Sequence, residues 1–383
     1  MPQRPSAMLL ARRLAAQQIS HQEHAAPAKL VAWLTAVQAQ DYAAATWGLA
    51  LRLEGSPAHS VVERALEKRR VVRTHALRGT WQFVTPKDAR WITRLGAGRI
   101  VQQSAARYRQ LGLTQRDFDR SMRIVARALE QRDSMTRKEL EVALERGGVS
   151  TAGQRLSHLL LRAELEEVIC GGARVGSQIS YSLFDRVAPA KESMPTGSDA
   201  CAVLAARYFR SRGPATAADF AWWSGLTLGQ ARAASEAAAP RLERDVVAGT
   251  VHYFGGSVRQ GRSSGVWLLP AFDEWLIAYK NRDATLAPEH AKRVNAGGGM
   301  LDPCIVIGGR VMGTWRRTLS RERVAIELHW FTRPSSRDAG RAHAAAERYA
   351  ASLGRVPEIS ETELGKGGKL PPLRSRSARK PPA

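Results

Sequence analysis

The amino-acid sequence predicts a helix-rich α+β fold with several domains. Its 383 residues exceed the roughly 100–200 of an ordinary single domain, and its 44% apolar content is enough to form more than one core. Patterns typical of helices and hairpins alternate three times along the chain, and a strand-rich stretch follows them. We therefore expect three helix-hairpin modules followed by a C-terminal β-rich subdomain.

The first module, residues 1–110, contains two predicted helices and a hairpin. One helix is predicted within 25–47 from a stripe of apolar residues at helical spacing, Leu30, Leu34 and Val37. A second helix is expected to begin after Ser56 as N-cap, with Pro57 at its first position. A Gly turn between two alternating segments then predicts a β-hairpin over 71–86.

Two further modules are predicted at 111–195 and 196–260, each with helices before a pair of strands. Thr136 and Thr216 each have an acidic residue three positions later, a pattern that predicts a capped helix start. With Ser56 they form a series spaced 80 residues apart, as three copies of one module would. The local sequences are not visibly alike, so the repeat is one of pattern.

A helical triplet that ends in a β-hairpin is the winged-helix form of the helix-turn-helix. A generic α+β protein without a DNA role also fits this pattern. The charge favours winged helices, because 58 Lys and Arg against 35 Asp and Glu leave +23, of which only +6 lies in the last 18 residues. Basic helices and hairpins are what duplex phosphates require, so we predict three tandem winged helices that bind double-stranded DNA.

The C-terminal part divides into a β-rich subdomain and a tail. Residues 261–355 are predicted to form strands with a tight turn at Gly308 and Gly309, closed by a helix near 341–354. Residues 356–383 are predicted to be a disordered basic tail, since the last 18 residues hold six Lys or Arg, no acid and four prolines.

Several classes of protein are excluded. No apolar run is long enough for a membrane span, and no secretory signal is visible, so we expect a cytoplasmic, nucleoid-associated protein. The three cysteines lack metal-ligand spacing, and we expect no metal and no cofactor. HExxH, GxxxxGK[ST] and GxGxxG are absent, and GxSxG matches only at 261–265, in a short Gly- and Ser-rich stretch, which argues against the usual nucleophilic hydrolases and nucleotide-triphosphate enzymes.

One polar cluster interrupts the apolar pattern of the first module. Gln38 and Gln40 are two residues apart, and on an ideal helix such side chains point about 200° away from each other. They can serve one site only if the helix ends or bends here and the chain becomes extended. Asp41 either supplies a carboxylate to a reaction or has a structural role as a helix cap or surface charge. Spacing alone favours a structural interpretation, a helix end with one solvated amide.

Four segments resemble, in order, those of the AlkZ-like (AlkZ/YcaQ) winged-helix DNA glycosylases. They are VQAQDYAAATWGL at 37–49, RGTWQFVTPKDARWI at 78–92, LLPAFDEWLIAYKNRD at 268–283 and GGRVMGTWRR at 308–317. Gln38, Ala39 and Gln40 match the family's Gln-apolar-Gln motif. The resemblance covers residues 6–353 and departs from the family where KNRD stands in place of a DR ending.

The resemblance implies a monofunctional, metal-free DNA glycosylase that acts on double-stranded DNA, with Gln38 and Gln40 as catalytic residues. Three winged helices in one chain reduce the need for dimer symmetry, so we expect a monomer. Its expected substrates are N7-alkylated purines, including bulky adducts and interstrand crosslinks, in DNA repair or self-resistance to a DNA-alkylating natural product. Such a base is cationic and leaves without protonation, so an amide that holds water and faces the oxocarbenium-like transition state suffices. A non-catalytic winged-helix regulator and a basic architectural protein remain alternatives.

Other residues are assigned from their positions. The candidate DNA contacts are Arg78, Trp315, Arg316 and Arg317. For the two arginines after Trp315, phosphate binding and pairing with Glu on the sheet are equally favoured. Asp273 and Glu274 are neighbours whose side chains diverge, so we assign them a structural role. His75 is expected to be packed or solvated, and one of the ten tryptophans could stack or wedge.

Overall fold

The computed structural model describes residues 4–176, 178–190, 193–247, 249–256, 264–297 and 299–364. Helices and strands alternate, and the strands in this part of the chain form three small sheets, one five-stranded sheet and one short hairpin. The mixed architecture agrees with the predicted α+β class. The basic segment from 366 onward lies outside the described residues.

The N-terminal unit contains four helices and a three-stranded antiparallel sheet in the order β1-β3-β2. Its elements are α1 (Arg4–Ala16), α2 (Pro27–Leu34), β1 (Val37–Gln38), α3 (Tyr42–Ala50), α4 (His59–Glu67), β2 (Val72–Ala76) and β3 (Thr80–Val84). The predicted hairpin is confirmed, and Gly79 at its turn has φ +77°. This left-handed conformation is the one that glycine adopts without strain.

Two predictions for this unit are wrong. The single helix expected within 25–47 is interrupted, because Thr35 has a positive φ of 68° and Val37 pairs with β3 instead of extending the helical stripe. Ser56 does not cap the next helix, since α4 begins at His59 and follows Ala58. Ser56 itself has φ 45°, which is not the extended geometry of an N-cap.

The second unit contains a long entry helix and a sheet in the order β4-β6-β5. Its elements are α5 (Pro86–Gln110), α6 (Gln115–Glu130), β4 (Met135–Thr136), α7 (Arg137–Arg146), α8 (Arg155–Leu165), β5 (Ile169–Gly171), β6 (Ser180–Leu183) and α9 (Phe184–Val187). Thr136 forms the predicted capping box with Glu139. Neither α1 nor α5 was predicted from the sequence.

The third unit has three helices and a two-stranded hairpin. Its elements are α10 (Gly197–Arg212), α11 (Ala217–Ser224), α12 (Leu228–Ala238), β7 (Glu243–Val247) and β8 (Thr250–Phe254). Thr216 forms the predicted capping box with Asp219. Ala215, just before it, bridges to Tyr253 of the hairpin.

The three units share an order of elements: a short extended segment pairs with the hairpin, and a capped helix follows directly. The extended residues are Val37–Gln38, Met135–Thr136 and Ala215. Ser56 therefore does not belong to the series formed by the two threonine caps, and its 80-residue spacing was misleading. The order fits winged helices, whose number stays a prediction, as do the boundaries near 110, 195 and 260.

The C-terminal part forms a five-stranded sheet in the order β15-β14-β13-β12-β9. Its elements are β9 (Val266–Leu269), α13 (Glu274–Ile277), α14 (Ala291–Val294), β10 (Asn295–Gly297), β11 (Met300–Leu301), β12 (Cys304–Ile307), β13 (Arg310–Leu319), β14 (Arg323–Trp330), α15 (Ser336–Ser352) and β15 (Val356–Glu363). The turn at Gly308 and Gly309 is confirmed, with both glycines at positive φ.

The tail predicted for 356–383 begins too early. Val356–Glu363 forms β15, which lies parallel to β14 from Arg323 to Trp330. The strand was missed because its side chains are mostly polar and exposed, as expected at a sheet edge. Backbone hydrogen bonds to β14 hold β15 in place, and such bonds cannot be recognised from amino-acid composition.

Two hydrophobic cores meet at β1. One core joins the N-terminal helices to the five-stranded sheet and includes Leu34 and Trp315. The other joins β2 and β3 to the third unit and includes Tyr208 and Trp223. The segment around α13 contributes to both. No helix in the described part of the chain is long and apolar enough to cross a membrane.

Candidate active site

The Gln-apolar-Gln segment is extended, as a shared site requires. The helix before it ends at Leu34, and Gln38 lies in β1 opposite Gln82 of β3. The N–H of Ala39 donates to the carbonyl oxygen of Trp81 at 2.7 Å, which continues the pairing by one residue. Residues two apart on an extended chain lie on the same side, and Gln38 is 8% exposed while Gln40 is open to solvent.

A buried carboxylate holds the backbone of Gln38. Glu274 Oε1 accepts the Gln38 N–H at 2.9 Å, and Glu274 is 2% exposed. Glu274 Oε2 accepts from Arg212 Nε at 2.9 Å and Nη2 at 2.7 Å, and from Trp223 Nε1 at 3.0 Å. A buried ion pair is tolerated when hydrogen bonds satisfy both partners, and here they do. The pair therefore fixes where β1 begins.

Arg212 also holds the turn that leads into β1. Its Nη1 donates to the carbonyl oxygen of Leu34 and its Nη2 to that of Ala36, each at 2.7 Å. These carbonyls lie at the end of α2, where backbone oxygens have no helical partner. One guanidinium thus ends the helix and neutralises the carboxylate that orients Gln38.

The side chain of Gln38 is oriented by Arg78. Arg78 Nη2 donates to Gln38 Oε1 at 2.6 Å, and Nη1 donates to the carbonyl oxygens of Trp222 and Trp223 at 3.2 and 3.0 Å. Burial lowers the pKa of Arg78 from its usual range. Arg78 was predicted to contact DNA, and the structure instead turns its guanidinium inward, onto Gln38. A carbonyl oxygen has two lone pairs, so Gln38 Oε1 keeps one acceptor position.

Gln40 and Asp41 have different partners. Gln40 Oε1 faces the Trp81 N–H at 3.5 Å, a long hydrogen bond that restrains the exposed amide weakly. Asp41 is the N-cap of α3, and its Oδ1 accepts from the Ala44 N–H at 3.0 Å. Of the two roles considered for Asp41, its contacts fit the helix cap.

Gln82 is a third glutamine of this site that the sequence interpretation did not single out. It lies directly opposite Gln38 in the sheet and is 1% exposed. Its Nε2 donates to Thr80 Oγ1 at 2.8 Å, while its Oε1 is buried without a donor among the described residues. The alternation of side chains along the hairpin places Gln82 on the face opposite Trp81. This pattern could have identified Gln82 as a residue of the site.

Two clefts with arginines in their lining share Tyr42, two residues after Gln40. One, of about 250 Å³, is lined in part by Arg69, Arg73 and Arg174. The guanidinium of Arg174 lies 4.4 Å from the centre of the Tyr42 ring. Burial lowers the pKa of Arg73 to about 10. The other cleft, of about 430 Å³, is lined in part by Arg317. Both clefts adjoin Tyr42, and Arg73 projects from the face of the sheet opposite Gln38.

The predicted contacts on β13 divide between the two faces of the sheet. Trp315 is 0% exposed, donates its Nε1–H to the Leu269 carbonyl at 2.8 Å and packs on Tyr349, so its predicted DNA contact is wrong. Arg317 lies on the same face, 5.6 Å from the Tyr349 ring. Arg316 lies on the opposite face, because successive strand residues alternate. The two arginines therefore cannot clamp one phosphate together.

One family model covers most of the chain. Residues 31–352 match the model of a family described as DNA glycosylase AlkZ-like. The chain belongs to the AlkZ-like DNA glycosylase family. The predicted resemblance is thereby confirmed, and the matched region contains both glutamines, Arg78 and Glu274.

Two matches to this AlkZ-like chain come from Streptomyces sahachiroi. One is an interstrand DNA cross-link repair glycosylase that is 26% identical over 317 residues, covering 75% of this chain and 81% of that protein. The other is the solved structure of the DNA glycosylase AlkZ, with a TM-score of 0.76, 23% identity and coverage of 93% of this chain and 99% of that chain. The second comparison shows that the fold is shared.

The AlkZ-like site includes a residue whose part in it was missed from sequence. Asp273 and Glu274 were assigned a structural role, and both are buried ion-pair partners. Asp273 binds Arg52 at 2.7 and 2.9 Å and has no contact with the glutamines. Glu274 bonds directly to Gln38. Two adjacent acidic residues inside an apolar stretch indicated that this segment is unusual. The neighbouring residues do not show which of the two carboxylates contacts Gln38.

His75 is packed, as expected. Its Nδ1 lies 3.0 Å from Glu164 Oε1, and its ring lies 4.0 Å from that of Trp81. It projects from the face of β2 opposite Thr74, which is the residue aligned with Gln82 and Gln38. His75 therefore faces away from the side of the sheet on which Gln38 lies.

Proposed function

We propose that this protein is a monofunctional DNA glycosylase that hydrolyses the N-glycosidic bond of N7-alkylated purines in duplex DNA. Gln38 and Gln40 hold and orient the attacking water. The observation that carries the proposal is the extended Gln-apolar-Gln segment, which has its first amide fixed by Arg78 and its backbone fixed by Glu274.

The chemistry suits neutral amides. Alkylation at N7 gives the purine a positive charge, and the C1′–N9 bond breaks with both electrons moving to the base, which leaves neutral. Water adds to C1′ and loses its proton to solvent. The Gln38 carbonyl dipole and its remaining lone pair can accept from that water and face the positive charge that develops on the sugar. No strong base is needed.

The buried carboxylate has a different role. Glu274 is enclosed by Gln38, Arg212 and Trp223, so it does not reach the substrate and acts through the position of Gln38. Preorganisation of this kind accelerates a reaction because the amide need not reorient in the transition state. Glu274 and Arg78 are therefore positioning residues, and Gln38 and Gln40 are the catalytic pair.

Bulky adducts and interstrand crosslinks are included in the proposed substrate range. Gln40 is exposed at the surface, and a site that is open there does not require a large adduct to enter a closed pocket. The relative that is 26% identical is a cross-link repair glycosylase. Repair and self-resistance to a DNA-alkylating natural product both use this reaction.

The test is release of the free base. Purified protein is incubated with duplex DNA containing N7-methylguanine, and with a duplex crosslinked through N7, and the free base is measured in single-turnover conditions. Gln38→Ala and Gln40→Ala should each lower the rate by at least tenfold, whereas Gln103→Ala, an exposed glutamine on α5, should keep it. A chain that releases no base from either duplex, yet binds one DNA sequence tightly, would be the non-catalytic regulator.

A further inference from the structure

Trp222 is the most exposed of the ten tryptophans, all of which lie in described residues. It is 46% exposed, whereas Trp33, Trp81 and Trp267 are partly buried and the other six are buried. It belongs to α11, where Phe220 and Trp223 face the core. The hydrophobic pattern of α11 is complete without Trp222, so packing gives no reason for an indole at this position.

The exposed ring is nevertheless held in one orientation. Trp222 Nε1 donates to the carbonyl oxygen of Ile277 at 3.1 Å. The guanidinium of Arg282 lies 5.7 Å from the ring centre, and Arg282 Nε donates to the carbonyl oxygen of Leu276 at 2.8 Å. Such restraint favours a binding role for the ring. A side chain that is already held in one orientation loses less conformational entropy when a ligand stacks on it.

Trp222 is connected to the catalytic segment by a single residue. Its carbonyl oxygen accepts from Arg78 Nη1 at 3.2 Å, and Arg78 Nη2 donates to Gln38 Oε1 at 2.6 Å. The guanidinium that binds Gln38 thus also holds the backbone of Trp222, and Arg282, which lies over the indole, is close enough to Arg78 to help lower its pKa. A cation over an indole close to a reaction on nucleotides matches the chemistry that binds planar nucleobases.

We propose that Trp222, supported by Arg282, is a stacking surface for a planar aromatic ring of the damaged DNA. The inference rests on the proposed glycosylase function and adds a binding element to it. The ring is either a nucleobase at the lesion or a planar group carried by a bulky adduct. A nucleobase and a planar adduct group both present an aromatic face to the indole. The experiment below distinguishes the two.

The experiment measures binding and stacking on DNA that is not hydrolysed. Duplexes carry 2′-fluorinated N7-methylguanosine, which resists hydrolysis, with 2-aminopurine as the adjacent base. A second set carries an N7 adduct with a planar polycyclic group. Affinity and 2-aminopurine quenching are compared for wild type, Trp222→Phe and Trp222→Leu. Trp33→Leu is the matched control. The Trp33 indole N–H donates to the Ala16 carbonyl and Arg210 lies over its ring, but Trp33 has no contact with Arg78.

Stacking on a nucleobase predicts that Trp222→Leu weakens binding of the methylated duplex roughly 5- to 150-fold and abolishes quenching. Trp222→Phe retains most of both, and Trp33→Leu changes neither. Stacking on the adduct predicts the same loss only for the polycyclic duplex. Equal affinities of Trp222→Leu and wild type for both duplexes overturn the inference.

Wild-type protein provides a check that does not depend on a stable variant. If bound wild type neither quenches 2-aminopurine on either side of the lesion nor prefers the polycyclic duplex, the inference is wrong. A wild-type protein that releases N7-methylguanine but fails this check refutes the stacking surface alone. A protein that releases no base refutes the proposed function.

Discussion

Gln38 and Glu274 are 236 residues apart in the chain and are joined by a hydrogen bond of 2.9 Å from the Gln38 N–H to Glu274 Oε1. The same carboxylate is the partner of Arg212, which also binds the two carbonyls at the end of α2. The position of the first glutamine of the motif thus depends on an ion pair that lies wholly inside the protein. Four predictions follow from this site and its surroundings.

Replacing Glu274 should reduce both stability and rate. Glu274→Gln leaves Arg212 buried without its counter-charge, a change that typically costs about 3–5 kcal/mol of unfolding free energy. Asp273→Asn is the matched control, because it breaks the neighbouring buried pair with Arg52 and has no contact with Gln38. Thermal unfolding gives the melting temperatures of the two variants. Single-turnover base release is then measured well below both melting temperatures. Equal rates for the two folded variants would limit Glu274 to a stabilising role.

Replacing Arg78 should affect the rate more than DNA affinity. Arg78→Ala removes the donor that orients Gln38 Oε1, and we expect the single-turnover rate to fall about tenfold or more, a loss of at least ~1.4 kcal/mol. Arg78→Lys should recover part of the rate, because its single ammonium nitrogen can bind Gln38 but cannot also reach the carbonyls that Nη1 holds. The dissociation constant for undamaged duplex and its salt slope should stay close to wild type. A flatter salt slope without a change in rate would instead indicate the phosphate contact originally predicted.

Arg317 should contact phosphate, and Arg316 should contribute less. Arg317 lines the cleft beside Tyr42, whereas Arg316 projects from the other face of the sheet. Arg317→Gln should weaken binding to any duplex and lower the slope of log affinity against log salt by about 1. Arg316→Gln is the control, measured by the same salt titration. Indistinguishable slopes for the two variants would contradict this assignment.

Acid should destabilise the protein through His59. This side chain stacks on Trp47 and hydrogen-bonds Ser352, and burial lowers its pKa from 6.5 to about 4. The unfolded chain therefore takes up a proton before the folded one, so stability is lost as pH falls from about 6.5 towards 4. The loss from this residue is up to about 3 kcal/mol.

The comparison of melting temperatures tests this directly. His59→Gln should show a smaller drop in melting temperature between pH 7 and pH 5 than wild type, although its value at pH 7 is lower because packing on Trp47 is lost. His21→Gln removes an exposed histidine and should leave the drop unchanged. A drop that is the same in His59→Gln and wild type would show that other groups control acid sensitivity.

Features that depend on neighbouring residues were predicted well from the sequence. The hairpin with Gly79 at its turn and the capping boxes at Thr136 and Thr216 are specified within a few positions of the chain. Sequence also identified the glutamine motif and the family. The prediction failed at Ser56, whose local pattern resembled a cap although the chain there adopts a left-handed conformation.

Features that depend on distant residues were not predictable in this way. Trp315 lies in a motif of the family, yet only packing against Tyr349 and Leu269 shows that it is enclosed. Arg78 at a hairpin turn resembled a phosphate contact until the carbonyls of α11 and Gln38 were seen to take its donors.

The residues alone establish that two glutamines, a high positive charge and the motifs of a glycosylase family occur together in this protein. The extended conformation of the glutamines depends on tertiary contacts, because their strand exists through pairing with β3 and through bonds to Arg212 and Glu274. The residues near Gln38 and Gln40 do not determine whether this segment forms a helix or a strand. Contacts from residues about 45 to 236 positions away resolved it, since they satisfy backbone groups that a continuous helix would have satisfied internally.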